Sequence, residues 1–282
     1  MAKKVNYEDR LTLFVDFLGF KEKIEETESN SEVLQDLVYV MSEVSVIAKE
    51  GDPKEFEVSQ FSDCLVISYG IKNFNLIFEI VNKLSHVVVR AAELGYLIRG
   101  GLTFGRLLHT KQLVLGPAMS RAYHLESQVA KMPRVILDPV EFNEALLNPA
   151  HDAVKAVKKF LKWDKSCEVW YFDYFSSEVI SDVVGGDPMK YPRYLKILSG
   201  MIEEGLKSSH PGVLEKYIWM QKRYQLARKK FTGAPEDHPT RVRFPGYLES
   251  IEQLPMLKKE AAGAAEIVAK AEKERAKKCR GG

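Results

Sequence analysis

The sequence has 282 residues, of which 45% are hydrophobic and 28% are charged, a composition typical of ordinary globular proteins with one large or two small domains. The 41 lysines and arginines exceed the 39 acidic residues by only two, which argues against bulk nucleic-acid binding. No apolar run approaches the roughly 18 residues of a membrane-spanning helix, and the start of the chain does not resemble a secretory signal. The three cysteines are widely scattered, which excludes a disulfide framework or zinc knuckle and favours a reduced, cytoplasmic compartment.

Hydrophobic periodicity divides roughly the first 178 residues into strands and helices. The predicted elements, in chain order, are a strand at 11–17, a helix from about residue 31, hairpin strands at 55–61 and 64–69, a helix at 75–95, a strand at 96–104, a helix at 116–132, a strand at 134–137, a helix near 149–161 and a strand at 168–174. The first six elements have the order β-α-β-β-α-β of the split βαβ, ferredoxin-like arrangement. We therefore predict an α+β fold.

The character of the chain changes after residue 185. Residues 190–232 show helical spacing with a break around residues 210–212, and residues 233–247 hold several prolines and glycines and indicate a loop. From Lys258 the chain is rich in Ala, Lys and Glu, which is typical of a solvated helix. We predict a first domain at 1–185 and a C-terminal helical extension at 186–282.

Two carboxylates stand out because of their positions relative to predicted strands. Asp16 comes near the end of the first strand, and Asp63 lies in the two-residue turn of the hairpin. Since these elements are neighbours in a β-α-β-β fold, both carboxylates can project to the same end of the sheet. Such a pair is unfavourable unless cations bind, and open oxygen sites suit Mg²⁺ or Mn²⁺ held with phosphates. Each aspartate alone also fits a plain turn residue, but the pair, with Gly19 nearby, favours a metal site.

Four segments together resemble the class III nucleotidyl cyclase homology domain, and in their details the bacterial pyrimidine cyclases of Pycsar anti-phage systems. The segments are F-V-D-F-L-G-F at 14–20, F-S-D-C-L-V-I-S at 61–68, L-I-R-G-G-L-T-F-G at 97–105 and G-P-A-M-S-R-A-Y-H-L-E-S at 116–127. The resemblance covers roughly residues 10–178 and implies a ferredoxin-like cyclase core as the catalytic domain.

The resemblance implies a reaction that converts a nucleoside triphosphate to a 3′,5′-cyclic monophosphate and pyrophosphate with two Mn²⁺ or Mg²⁺ ions per site. The implied metal ligands are Asp16, Asp63 and the backbone carbonyl of Phe17, and the implied phosphate-binding backbone is that of Leu18, Gly19 and Phe20. The family also keeps an arginine that contacts the triphosphate, and Arg99 occupies that position. A surface ion pair is the plain alternative for Arg99.

The sequence departs from the family pattern on the helix at 116–127. Ser120 and His124 stand where the family has an Asn and, four residues later, an Arg that stabilise the transition state. A serine can donate a hydrogen bond, and a histidine can donate or, when protonated, carry positive charge. Arg121 is adjacent but points about 100° away on an ideal helix. A purely structural histidine is the alternative for His124.

A second departure concerns the base. Purine cyclases carry a base-reading lysine four residues before the second aspartate, where this chain has Ser59, followed by Gln60. A short hydroxyl cannot replace a lysine at adenine, which favours a pyrimidine. Serine and glutamine can complement either uracil or cytosine, so UTP is favoured and CTP stays open. A solvent-facing Ser59 without a role is the plain alternative.

The predicted function is that of a uridylate cyclase, which makes cyclic UMP as a second messenger in anti-phage defence, read by a separate effector protein. The alternatives are a cytidylate cyclase, a degenerate cyclase-like nucleotide-binding regulatory module, and a palm-like polymerase or exonuclease, against which the lack of a basic groove counts. Active sites in the family lie between subunits. The resemblance therefore implies a homodimer, and we expect a cytoplasmic protein that binds neither nucleic acid nor membrane.

Overall fold

The computed structural model describes residues 6–49, 56–70, 76–147, 155, 157–184 and 187–280. The chain divides into two compact units, Met1–Tyr174 and Phe175–Gly282. The predicted boundary between residues 185 and 186 lies outside the described residues, and the separate roles of the two domains stay a prediction. Among the described helices, none combines the length and the apolar character needed to cross a membrane.

The first unit is built on one mixed sheet with helices packed against it. Its strands are β1 (Glu8–Phe17), β2 (Phe56–Phe61), β3 (Cys64–Gly70), β4 (Ile98–Thr110), β5 (Leu113–Leu115), β6 (Val135–Leu137), β7 (Leu161–Asp164) and β8 (Val169–Phe172). Its helices are α1 (Phe20–Thr27), α2 (Ser31–Lys49), α3 (Leu76–Glu93), α4 (Pro117–His124) and α5 (Pro139–Leu147), with a π-helical segment at Leu125–Ala130.

The strand order is β2-β3-β1-β4-β6-β8-β7, and β5 pairs with β4. Strand β1 lies antiparallel between β3 and β4, and β6 adds to β4 in parallel. The predicted β-α-β-β-α-β order and the α+β class are therefore confirmed. This topology makes β1 an interior strand whose C-terminal end meets the β2–β3 turn.

The face of the sheet that packs against α4, called here the α4 face, is defined by the register of β1 with its neighbours. Phe14 of β1 lies between Val66 of β3 and Gly101 of β4, and it packs with Val66 and Ala122 of α4. A Cβ atom on Gly101 would lie 2.4 Å from the Cβ of Leu125 and 2.7 Å from the carbonyl oxygen of Ala122. The helix can therefore approach the sheet closely only because residue 101 has no side chain.

Several predicted boundaries differ from the structure. Strand β4 does not end at Gly105 but continues to Thr110, because β5 folds back on it and satisfies its hydrogen bonds. The predicted helix near 149–161 falls mostly outside the described residues, and its last residue begins strand β7. The predicted helix at 116–132 changes to π-helical geometry at Leu125. Helices α1 and α5 were not predicted.

The second unit is helical, which confirms the predicted C-terminal helical extension. Its helices are α6 (Ser177–Val184), α7 (Lys190–Gly205), α8 (Pro211–Lys229), α9 (Pro239–Arg243), α10 (Tyr247–Glu252) and α11 (Lys258–Arg280). The predicted break is present, because His210 is extended and Pro211 opens α8 as its first residue. Side chains of α8 bind the connection before α11, since Gln221 and Tyr224 donate to the carbonyls of Met256 and Pro255 at 3.1 and 2.9 Å.

Candidate active site

Asp16 and Asp63 meet at the C-terminal end of β1. The register places Asp16 opposite Cys64, and the amide of Phe17 donates to the carbonyl of Asp63 at 3.0 Å. The tight β2–β3 turn that presents Asp63 requires a left-handed residue, and Ser62 has a φ of 53°. One ligand atom each of Asp16, Asp63 and Cys64 lies within 4.8 Å of the others. The hairpin and the interior strand thus bring both candidate metal ligands to one point.

Cys64 acts at this point as a weak donor to the two carboxylates. Its sulfur lies 3.6 Å from Oδ1 of Asp63 and 3.9 Å from Oδ1 of Asp16. Burial, and then the negative charges of Asp63 and Asp16, raise the pKa of Cys64 to about 12. The thiol is therefore protonated at neutral pH, and oxygen atoms are the ligands that the cluster offers to a hard cation.

Arg99 carries positive charge next to this cluster. It lies opposite Asp16 in the β1–β4 register, and its Nη2 donates to Oδ2 of Asp16 at 3.3 Å. Its Nε donates to Oε1 of Glu126 at 2.5 Å, and Glu126 is only 3% exposed. The guanidinium is thus shared between the carboxylates of Asp16 and Glu126, and Asp63 adds a further negative charge beside Asp16. The alternative of a surface pair does not describe Arg99, whose side chain is only 20% exposed.

The backbone after β1 differs in part from the expectation for phosphate binding. The amide of Leu18 donates to the carbonyl of Leu97 at 2.9 Å, because the chain continues its sheet pairing for one residue beyond β1. The prediction that this amide faces phosphate is therefore wrong in the structure described. Gly19 has a φ of 74° and caps α1, whose first intrahelical bond runs from Lys23 to Gly19. The amides of Gly19 and Phe20 lie where helix geometry leaves donors without intrahelical acceptors.

Ser59 and Gln60 lie on opposite faces of β2. Ser59 pairs with Val66 and shares the α4 face, where its Oγ lies 3.0 Å from Nε2 of His109. Gln60 is exposed and lines a groove with Phe20 on the other face. Strand alternation therefore separates the two residues, and the structure does not bring Gln60 to the face that carries Asp16.

Helix α4 turns Ser120 and His124 away from the sheet. Ala118 and Ala122 are buried on the side of α4 that packs against the sheet, whereas Ser120 and His124 are exposed. Arg121, the basic neighbour considered above, makes two hydrogen bonds to Asp138, at 2.7 and 2.6 Å. Within one chain, α4 therefore does not direct Ser120 or His124 toward the sheet face that carries Asp16.

Three residues near the site were not singled out by the sequence. Cys64 and Glu126 belong to segments that carry the family resemblance. Only the structure shows that Cys64 lies opposite Asp16 and that buried Glu126 accepts from Arg99. His109 lies beyond the predicted end of β4, so the sequence offered no reason to place it near Ser59. The one usable signal is strand alternation: residues 99, 101 and 109 are separated by even numbers of positions, so they share a face if the strand continues to residue 109.

No family model matches the chain, and no curated protein matches it. Among solved structures, the chain is similar to the adenylyl cyclase CyaB from P. aeruginosa, with 16% identity, a TM-score of 0.38, and coverage of 60% of this chain and 96% of that one. It is also similar to the catalytic core of a rhodopsin-guanylyl cyclase with converted specificity in complex with ATPαS, with 15% identity, a TM-score of 0.38, and coverage of 60% and 97%. Similarity at this level does not assign a function to the chain.

Proposed function

We propose that the chain is a metal-dependent nucleotide cyclase that converts a nucleoside triphosphate, with UTP preferred, to a 3′,5′-cyclic monophosphate and pyrophosphate. The observation that carries the proposal is the approach of Asp16 and Asp63 at the end of the interior strand, with ligand atoms within 4.8 Å. Carboxylates this close repel each other unless a cation lies between them. The four motifs that resemble the class III cyclases indicate nucleotide cyclisation as the reaction that cations bound here would support.

The residues present fit a divalent-cation site. Asp16 and Asp63 are partly exposed and offer carboxylate oxygens, and the carbonyl of Phe17 follows directly in the chain. The positive charge of Arg99 is shared with Glu126, so the cluster keeps an excess of negative charge. Two bound Mg²⁺ or Mn²⁺ ions would lower the pKa of the substrate 3′-hydroxyl and neutralise the triphosphate.

The other residues bind and orient the triphosphate. The 3′-oxygen forms a bond to the α-phosphorus, the bond from that phosphorus to the bridging oxygen breaks, and the hydroxyl proton goes to solvent. Gly19 and the amides at the start of α1 offer donors to phosphate oxygens. Arg99, which Glu126 orients through Nε, presents its remaining guanidinium donors beside Asp16.

The orientation of α4 supports a homodimer as part of this proposal. Ser120 and His124 face away from the sheet of their own chain, so they can serve a site only on a second copy. Leu113, Leu115 and Tyr123 are about half exposed near them in the chain, with exposures of 48%, 52% and 55%. A twofold arrangement in which each α4 faces the aspartates of the partner gives two equal sites. A monomer in sedimentation experiments that retains full activity would contradict it.

The experiment is incubation of the purified protein with all four ribonucleoside triphosphates and Mn²⁺, followed by mass spectrometry. Cyclic UMP as the main product supports the proposal, and cyclic CMP would move the substrate to CTP. Nucleotide binding without any cyclic product would identify a regulatory module instead. The role in anti-phage signalling through a separate effector rests on the same resemblance. It predicts cyclic nucleotide accumulation in phage-infected cells that express the protein.

A further inference from the structure

A chain of hydrogen bonds crosses the α4 face and ends at Ser59. Arg10 Nε donates to Oγ of Ser68 at 2.8 Å, Oγ of Ser68 lies 2.7 Å from Nδ1 of His109, and Nε2 of His109 lies 3.0 Å from Oγ of Ser59. Arg10, Ser68 and His109 are buried, with exposures of 4%, 0% and 6%. The chemistry proposed above uses none of these three residues.

The chemistry of the donors gives this chain one direction. Arg10 is always a donor, so Ser68 accepts its N–H and keeps its own hydroxyl proton to donate. Ser68 is fully buried, and a buried O–H needs an acceptor, which Nδ1 of His109 provides. Nδ1 is therefore unprotonated.

The ring of His109 carries a single proton at neutral pH. Burial, together with the positive charge of Arg10, lowers the pKa of His109 from 6.5 to about 4. Because Nδ1 accepts from Ser68, the ring proton lies on Nε2 and is donated to Ser59. Ser59 thus accepts from His109, and its own hydroxyl proton is free to point away from the chain.

We infer that His109 is a positioning residue that fixes Ser59 as a hydrogen-bond donor toward the base. A donor at this position complements the 4-oxo group of uracil and opposes the 4-amino group of cytosine, which is itself a donor. The inference rests on the proposed function, because it assigns base selection to the same site. It names a pyrimidine with a 4-oxo group as the substrate class.

The test compares kcat/KM for UTP and CTP in matched variants. Ser59→Ala and His109→Phe should each lower the UTP-to-CTP ratio by about tenfold, since each removes the directed donor. The double variant should lose no more than either single variant, because both act through one hydrogen bond. His109→Gln should retain most of the preference, since its amide oxygen can accept from Ser68 while its NH₂ donates to Ser59.

A control variant separates this role from mere destabilisation of β4. Leu107 is fully buried on the same strand and belongs to none of these hydrogen bonds. Leu107→Ala should lower the melting temperature and both kcat/KM values together, leaving the ratio unchanged. An unchanged ratio in His109→Phe with a reduced ratio in Ser59→Ala would overturn the role of His109. A wild-type preference for CTP would overturn the donor assignment.

A measurement of the His109 tautomer completes the test. Long-range ¹⁵N–¹H NMR of the histidine rings, assigned with His109→Phe, should show the Nε2–H tautomer for His109, and the Nδ1–H tautomer would overturn the inference. If the wild-type protein makes no cyclic nucleotide from any triphosphate, the proposed function fails, and this inference fails with it. A wild type that is active and selective, with an unaffected His109→Phe ratio, overturns this inference alone.

Discussion

Two aspartates of the first unit, Asp138 and Asp63, differ in how the protein satisfies their carboxylates. Asp138 is 1% exposed and accepts from Arg121 through both oxygens, from the hydroxyl of Thr103 at 2.8 Å and from the amide of Val140 at 3.1 Å. Asp63 is partly exposed, and among the described residues its side-chain partner is the thiol of Cys64 at 3.6 Å.

The difference separates a carboxylate that holds structure from one that can hold a ligand. Burial opposes ionisation of Asp138, but the hydrogen bonds from Arg121, Thr103 and Val140 outweigh it and lower its pKa. The hydrogen bonds from Arg121 tie α4 to Asp138, and the hydrogen bond from the Val140 amide caps the start of α5. Within the described part of the chain Asp63 has only a weak neutral donor, so most of its hydrogen-bonding capacity is left for a cation or solvent.

The largest expected effect is on activity at Asp63. Asp63→Asn removes one metal ligand and should reduce cyclase turnover by at least about 10³-fold, measured as cyclic product by mass spectrometry. The free energy of unfolding without metal should stay level or rise, because the substitution removes repulsion with Asp16. Urea denaturation measures that free energy. Substantial turnover in the well-folded variant would remove Asp63 from the site.

The opposite pattern is expected at Asp138. Asp138→Asn keeps the shape but weakens the charged hydrogen bonds to Arg121, so the free energy of unfolding should fall by about 3 kcal/mol. Activity should decline only in proportion to the loss of folded protein. Thermal melts and turnover below the melting transition check this. A stable Asp138→Asn protein without activity would show that the distinction between the two aspartates is wrong.

Arg99 lies between these two cases, because it contacts the candidate site and also a buried carboxylate. Arg99→Ala should cost about 2–3 kcal/mol of transition-state stabilisation, and it also removes the hydrogen bond that Arg99 donates to buried Glu126. Adding Glu126→Gln should restore much of the stability but not the turnover. Recovery of turnover in the double variant would make Arg99 a purely structural residue.

The sequence predicted most of the fold because apolar periodicity was strong in the strands near the site. Asp16 and Asp63 were predictable because one strand and one two-residue turn determine both positions. The contacts of Leu18 and Gln60 were not predictable. The contact of Leu18 depends on one sheet hydrogen bond beyond β1, and the position of Gln60 depends on strand alternation near the end of the hairpin. The extension of β4 past Gly105 depends on pairing with β5, and no local pattern indicates that His109 reaches Ser59.

The buried histidine predicts a pH dependence of stability. Because the pKa of His109 is lowered from 6.5 to about 4 on folding, the unfolded chain binds more protons between these values. Its contribution is fully present above pH 6.5 and is lost as the pH falls toward 4, by about 2 kcal/mol between pH 7 and pH 5.

Other charged groups surround His109, so a variant must isolate this effect. Arg10 contacts Ser68 beside the ring, Glu8 pairs with Arg10 at 2.9 Å, and Glu57 lies opposite Ser68 on β2. Urea denaturation of wild-type and His109→Gln proteins at both pH values cancels their contributions. The variant should lose less stability than the wild type on acidification. Equal losses would show that His109 is not buried in the neutral form.

The smallest effects come from two threonines that face each other across β1 and β4. Thr12 and Thr103 are paired in register, and both are buried, but only Thr103 donates to Asp138. Thr12 Oγ1 has no hydrogen-bond partner among the described residues. Thr103→Val should therefore lower the free energy of unfolding by about 1–2 kcal/mol, because it takes one donor from a buried carboxylate. Thr12→Val, the same change in the same layer, should leave stability level or raise it, because it removes an unsatisfied hydroxyl. Urea denaturation measures both free energies. Equal losses in the two variants would show that the hydrogen bond from Thr103 does not stabilise Asp138. The contrast between Asp138 and the carboxylates of the candidate site would then fail.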